Sequence, residues 1–137
     1  MTKILPSKTV SVSIDRTPQD VYDYVSDFMN APQWATQFCL SVKPSEDGWV
    51  IETPAGAMKV RMAERNSLGI LDHYVSPTPE TEVYAPMRVL VNGPGSEVIF
   101  TVFRQPGMTD EQFADDAGMV EKDLQNLKAI LEGQLNV

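Results

Sequence analysis

The chain has 137 residues, a formal net charge of −8 and a hydrophobic content of 42%, values typical of one globular domain. We therefore expect a single domain over residues 1–137. Its eleven Lys and Arg residues are scattered, whereas nucleic-acid binding needs clustered positive charge, so we expect no nucleic-acid partner. No apolar run approaches the ~18 residues of a membrane span, which argues against membrane insertion. The single cysteine, Cys39, cannot form an internal disulfide, which favours a cytoplasmic location.

The N-terminal segment predicts a strand followed by a helix. Apolar and polar residues alternate over 8–15, the pattern of a half-buried strand. Thr17 and Pro18 then suit the N-cap and first position of a helix. Apolar residues continue at helical spacing to a stop near Asn30, and residues 31–34 predict a tight turn or a second short helix.

The central half of the chain predicts strands joined by short turns. Candidate strands are 38–43, 48–53, 57–63, 69–75, 82–92 and 96–105. Asp47-Gly48, Pro54 to Gly56, residues 66–69, residues 76–79 and residues 92–95 have the composition of turns. Short connections between successive strands indicate antiparallel pairing.

The last element predicts a long amphipathic helix. Thr109 and Gln112 have the spacing of a capping box. Gly118 lies within this helix at a cost of up to ~1 kcal/mol relative to alanine, and Gly133 suits its C-terminal end. One apolar stripe follows at steps of three and four: Phe113, Ala117, Val120, Leu124, Leu127 and Leu131.

The element order predicts an α+β domain in which a curved antiparallel sheet closes around one long C-terminal helix. A long helix with one apolar face needs an apolar sheet to cover. Seven strands, in the order β-α-α-β6-α, would form one curved antiparallel sheet wrapped around the C-terminal helix.

Assumed strand registers predict which side chains face that helix. Symmetric turns place Val60 opposite His73, His73 opposite Ala85, and Met87 opposite Phe100, and opposed residues share a face. This face is almost purely apolar, with His73 as its polar exception. The same registers place Arg61 opposite Asp72 on the outer face, where we expect an ion pair. No carboxylate is identifiable as buried.

An apolar interior of this kind predicts a ligand cavity. Methionine adapts to irregular spaces, and Trp34 follows the first helix at a position that could line the cavity mouth. His73 could be a neutral core histidine bonded to a carbonyl, or a polar anchor at the cavity wall. A metal site is not expected, because zinc needs three or four ligands and His73 is the only histidine. The candidate ligand-binding residues are Trp34, Met58, Met62, His73, Met87, Phe100, Phe113 and Val120.

Three segments of the chain resemble a known superfamily. Residues 14–27 followed by Pro32-Gln33-Trp34 are similar to the opening strand, helix entry and "Asp…Pro-x-Trp" element of the START-like superfamily, also called SRPBCC or Bet v 1-like. Residues 69–73 and 123–128 look like a subgroup of small bacterial members in its polyketide cyclase/dehydrase-like branch. The resemblance implies a helix-grip fold with a deep cavity. We expect no cofactor. Relatives include lipid carriers, hormone receptors and aromatase/cyclases, so the fold leaves the function open.

We expect a non-catalytic protein that binds a small hydrophobic or aromatic ligand, lipid-like or polyketide-like. One alternative is an enzyme of the cyclase/aromatase or dehydratase kind in which His73 acts as general acid or base. A second is an interaction module or homodimer that uses the outer sheet face with Tyr74, Tyr84, Ile99 and Phe103. No phosphate-binding loop, nucleophile elbow or zinc-protease motif is present in the sequence.

Overall fold

The computed structural model describes residues 4–133, and the remaining residues of the expected 1–137 domain lie outside that range. The described elements, in chain order, are β1 (Ser7–Ile14), α1 (Pro18–Ser26), a 3₁₀ turn (Phe28–Asn30), α2 (Ala31–Trp34), β2 (Ser41–Ser45), β3 (Gly48–Thr53), β4 (Gly56–Met62), β5 (His73–Thr78), β6 (Thr81–Ala85), β7 (Met87–Asn92), β8 (Gly95–Phe103) and α3 (Asp110–Leu131). The domain has the α+β helix-grip fold, with curved antiparallel strands around the long helix α3.

Residues 4–133 form eight strands in two sheets, where the sequence predicted seven strands in one. The orders are β1-β8-β7 and β2-β3-β4-β5-β6. The division occurs at Pro86, which lies between β6 and β7 within the predicted strand 82–92. Proline has no backbone N–H to donate to a ladder, so the strand breaks there. The carbonyl of Pro86 still accepts the N–H of Thr101 at 3.1 Å, which keeps the two sheets in contact.

Most of the predicted registers are confirmed, and one is wrong. His73 lies opposite Ala85 and Met87 opposite Phe100, as expected. Val60, however, lies opposite Val75, and His73 faces Met62 instead. The displacement is two residues, so every side chain keeps its predicted face.

The wrong register has its cause in the loop between β4 and β5. The side chain of Asn66 accepts the N–H groups of Leu68 and Ile70 and donates to the Ile70 carbonyl at 2.9 Å. An amide side chain that replaces backbone pairing in this way makes the connection irregular. The symmetric turn assumed from the sequence therefore does not form.

The predicted ion pair between Arg61 and Asp72 is also wrong. Arg61 lies opposite Tyr74 in the ladder, bonds Glu82 at 3.1 Å and stacks over the Tyr74 ring at 4.3 Å. Asp72 instead pairs with Arg88 at 2.9 Å. The shift of the β4–β5 register moves the two predicted partners apart.

The helices begin where the sequence predicts, but α1 is shorter than expected. The hydroxyl of Thr17 accepts the Asp20 N–H and caps α1. The helix ends at Ser26 instead of continuing toward Asn30, because Asp27 is extended and its side chain caps the following 3₁₀ turn. Both bonds of the capping box between Thr109 and Gln112 are present at the start of α3.

The apolar stripe of α3 packs against the sheet as predicted for four of its six members. Ala117, Leu124, Leu127 and Leu131 are buried, whereas Phe113 and Val120 are half-buried. Leu124, Leu127 and Leu131 join one core with residues of α1, β1, β7 and β8. Within residues 4–133, no helix combines the length and the apolarity that crossing a membrane requires.

Candidate functional site

A cavity of about 760 Å³ lies between α3 and the concave side of the strands. Its walls come from α1, the 3₁₀ turn, α2 and the loop that follows, from β3 to β8, from the loop before α3, and from the cavity side of α3. Most of the lining side chains are aliphatic, aromatic or methionine, as the alternating strands and the apolar stripe predicted. The volume falls within the roughly 300–1,000 Å³ of small-molecule sites.

The structure brings seven of the eight candidate residues together around this cavity. They are Trp34, Met58, Met62, His73, Met87, Phe100 and Val120. Phe113 is not among the lining residues. The loop that leads into α3 contributes Pro106 and Met108 to the lining.

His73, the first residue of β5, is both a carbonyl-bonded histidine and part of the cavity wall. Its Nδ1 lies 3.1 Å from the Leu71 carbonyl oxygen, and its ring meets Phe100 edge-on at 5.6 Å. A carbonyl oxygen can only accept, so Nδ1 carries the proton and Nε2 keeps a lone pair. Burial lowers the pKa of His73, so the ring is neutral at pH 7.

Asp72 makes the Leu71 carbonyl available to His73 by occupying the N–H group that would otherwise pair with it. Leu71 and Met87 are opposed, and the Leu71 N–H donates to the Met87 carbonyl at 2.8 Å. The reciprocal bond is missing, because the Met87 N–H donates to Asp72 Oδ1 at 3.0 Å. The Leu71 carbonyl is thereby left for His73 Nδ1. Asp72 is held in turn by Arg88 and by the Tyr84 hydroxyl, each at 2.9 Å.

Asp123, on the cavity side of α3, is a buried carboxylate that the sequence pattern did not identify. Its exposed fraction is only 5%, and its Oδ1 accepts the Gln37 N–H at 3.0 Å. Burial raises the pKa of Asp123 to about 6. The available signal was helical phase, because residues 116, 120, 123 and 127 follow at steps of four, three and four along the apolar stripe.

Asp116 is a second carboxylate at the same wall. It is half-buried and lines the cavity two helical turns before Asp123. Burial and the neighbouring Asp115 both raise the pKa of Asp116. The α3 wall therefore combines apolar side chains with two carboxyl groups.

Cys39 also lines the cavity, but its environment keeps the thiol protonated. Burial and the nearby Asp123 charge raise the pKa of Cys39 to about 11, and its thiol donates to the Ser41 carbonyl at 3.5 Å. Nucleophilic cysteines need the thiolate form, so Cys39 does not fit that role. In the part of the chain that the structure describes, no three His, Cys, Asp or Glu side chains lie close enough to hold a metal ion.

The cavity borders the gap between β6 and β8. Consecutive residues 83–85 and 100–103 all line it, although alternate residues of a strand point to opposite faces. Both faces can contribute here because β6 and β8 form no ladder beyond the Pro86 break. Tyr84, on β6 beside this gap, is 38% exposed.

The comparison with protein families gives one extensive match. Residues 6–132 match the family model described as polyketide cyclase / dehydrase and lipid transport. No curated protein sequence matches the chain.

Solved structures share the fold at low sequence identity. XoxI from Bacillus cereus is 20% identical, with a TM-score of 0.77 over 93% of this chain and 96% of its own. The Zhui aromatase/cyclase from a Streptomyces species is 12% identical, with a TM-score of 0.72 over 96% of each chain. Ara h 8.0201 is also 12% identical, with a TM-score of 0.72 over 95% of this chain and 99% of its own. At such identities the matches show a common fold. They do not show that these proteins bind the same ligand.

Proposed function

Because the chain belongs to the polyketide cyclase/dehydrase and lipid transport family, we propose that it binds a small hydrophobic or aromatic molecule in the cavity between the sheets and α3. The observation that carries this proposal is the cavity itself, about 760 Å³ with mostly apolar walls. Burying apolar ligand surface there is worth roughly 25 cal/mol per Å².

The composition of the wall supports a ligand of variable shape. Met58, Met62, Met87 and Met119 all line the cavity, and unbranched methionine side chains adapt to irregular surfaces. Trp34 and Phe100 add flat aromatic surface that suits ring-containing ligands. The family's description as lipid transport is compatible with such a site.

Filling the cavity should abolish ligand binding without unfolding the protein. The probe is N-phenyl-1-naphthylamine, an uncharged aromatic dye whose fluorescence rises in apolar surroundings. We expect stoichiometric binding to the wild type and at least about tenfold weaker binding to Val120→Trp, which costs about 1.4 kcal/mol. Ala114→Trp adds the same side chain on the exposed side of α3 and should bind the dye normally.

The binding proposal fails if folded Val120→Trp binds the dye as the wild type does, because the dye would then occupy another site. It also fails if the wild type binds no dye. Native mass spectrometry of freshly purified protein complements the titration, since a co-purified molecule would identify the ligand class directly.

His73 supports an enzyme as a second candidate function. Its neutral ring has a lone pair on Nε2 and borders the cavity, as a general base requires. A cyclase/aromatase or dehydratase would use it to take a proton from a bound polyketide-like chain. His73→Gln should then abolish turnover of such a substrate while dye affinity changes by less than about threefold. Turnover that survives in His73→Gln would exclude this role.

The interaction-module alternative has less support, because the outer aromatic residues already pack on one another. Tyr74 stacks on Tyr84 at 5.2 Å, and Tyr84 stacks on Phe103 at 6.2 Å. Homodimerisation through this face remains a prediction that the mass in solution would decide.

A further inference from the structure

The polar groups around the cavity are unbalanced in charge. Two carboxyl groups, Asp116 and Asp123, line it, whereas no lysine or arginine of residues 4–133 does. The other ionisable groups of the wall are the neutral His73, the protonated Cys39 thiol and the Tyr84 hydroxyl, which donates to Asp72. A ligand carboxylate would therefore meet negative charge without a counterion.

Asp123 is only half satisfied by the protein. Oδ1 accepts the Gln37 N–H, but Oδ2 has no hydrogen-bond partner in the part of the chain that the structure describes. Only 5% of the residue is exposed, and it borders the cavity. A buried ionised carboxylate without a positive partner is costly, so a cation in the cavity would relieve that cost.

We propose that the cavity selects ligands with a protonated amine on an apolar or aromatic body, and that the ammonium group bonds to Asp123 Oδ2. This inference rests on the proposed binding function and names its ligand class. Asp116 lies seven residues earlier on α3, about 10 Å along the helix axis. It adds negative potential at the outer part of the same wall.

Within residues 4–133, the polar groups of the cavity wall near Asp123 carry no positive charge that would compete with an ammonium group. His73 Nε2 holds a lone pair across the cavity, so it suits a second donor on the ligand. The Cys39 thiol near Asp123 donates its proton to the Ser41 carbonyl and offers no competing positive charge. Because burial raises the pKa of Asp123 to about 6, the carboxylate is charged at pH 7.5 and loses its charge below pH 6.

Three probes with one aromatic body test the selection. They are 1-naphthylmethylamine, 1-naphthalenemethanol and 1-naphthylacetic acid, titrated by calorimetry at pH 7.5. We expect the amine to bind at least about tenfold more tightly than the alcohol, and the acid to bind more weakly than the alcohol.

Two matched variants locate the effect. Asp123→Asn keeps an oxygen for the Gln37 N–H but removes the charge, and should reduce the amine advantage to below about threefold with unchanged alcohol affinity. Glu121→Gln removes one negative charge from an exposed position of α3 and should keep the advantage. If Asp123→Asn does not fold, the wild type at pH 5 replaces it and should lose the advantage.

The outcomes separate this inference from the binding proposal. An alcohol that binds without any advantage for the amine, or an advantage that persists in folded Asp123→Asn, overturns the inference alone. Failure of all three probes to bind overturns the binding proposal and the inference with it.

Discussion

At the scale of single residues, the chemistry of the cavity depends on which hydrogen bonds the backbone leaves available. Asp72 takes the Met87 N–H, and the Leu71 carbonyl then holds the His73 ring. The Gln37 N–H holds Asp123 in a similar way. Each polar side chain is thus oriented by one specific contact, and its other polar atom makes no hydrogen bond to the described residues.

The buried Asp123 should make stability fall as the pH rises from 4 to 6. Its folded pKa of about 6 lies above the ~3.9 of an unfolded aspartate. Between these values the folded state binds the proton more strongly, so the free energy of unfolding decreases with pH. The difference of two pKa units corresponds to at most about 3 kcal/mol, and solvent screening reduces it. Asp123→Asn cannot titrate and should therefore be about 1–2 kcal/mol more stable than the wild type at pH 7.5.

Urea unfolding at pH 4.5 and pH 7.5 measures this difference. Glu121→Gln, at an exposed position of α3, should retain the wild-type pH dependence. An equal pH dependence in Asp123→Asn and the wild type would contradict the assignment.

The individual residues of the cavity wall were also predicted least completely from the sequence. Seven of the eight proposed lining residues do line the cavity, because strand alternation identifies inward-facing positions. Asp123 was missed because its helical phase alone cannot distinguish a buried position from the edge of an exposed face. The burial of Asp123 depends on packing against groups distant in sequence, such as Gln37, which is 86 residues away.

At the scale of elements, local signals located most boundaries. The cap by Thr17 and the capping box at Thr109 form as their sequences indicate, since both involve residues within one helical turn. The extent of α1 and the split of the predicted strand 82–92 differ, because Asp27 caps a new turn and Pro86 lacks an N–H. The division at Pro86 also leaves β6 and β8 unpaired where both border the cavity.

Gly118 weakens α3 without serving any contact. A Cβ atom placed on it would have no neighbour within 4 Å, and the residue is exposed. Gly118→Ala should therefore stabilise the protein by up to ~1 kcal/mol, through helix propensity alone. Thermal unfolding followed by circular dichroism measures the gain, and a lower midpoint would show that this position has an unrecognised role.

At the scale of the whole molecule, the domain combines a packed core with an open interior. In the C-terminal half of α3, Leu124, Leu127 and Leu131 pack against the strands, and each is at least 93% buried. Toward the start of α3 the wall changes to Asp116, Met119 and Val120 around the cavity. One helix thereby contributes both to stability and to the proposed binding site.

The sequence by itself determined the fold class, the caps, most registers and the faces of the strands. These follow from patterns that repeat every two or every 3.6 residues, and such patterns need only neighbouring residues to be recognised. The tertiary structure alone decided the register across the β4–β5 loop, the pairing of Asp72 with Arg88, the volume of the cavity and the burial of Asp123. Each of these depends on groups distant in sequence, whose distances are set only when the whole chain has packed.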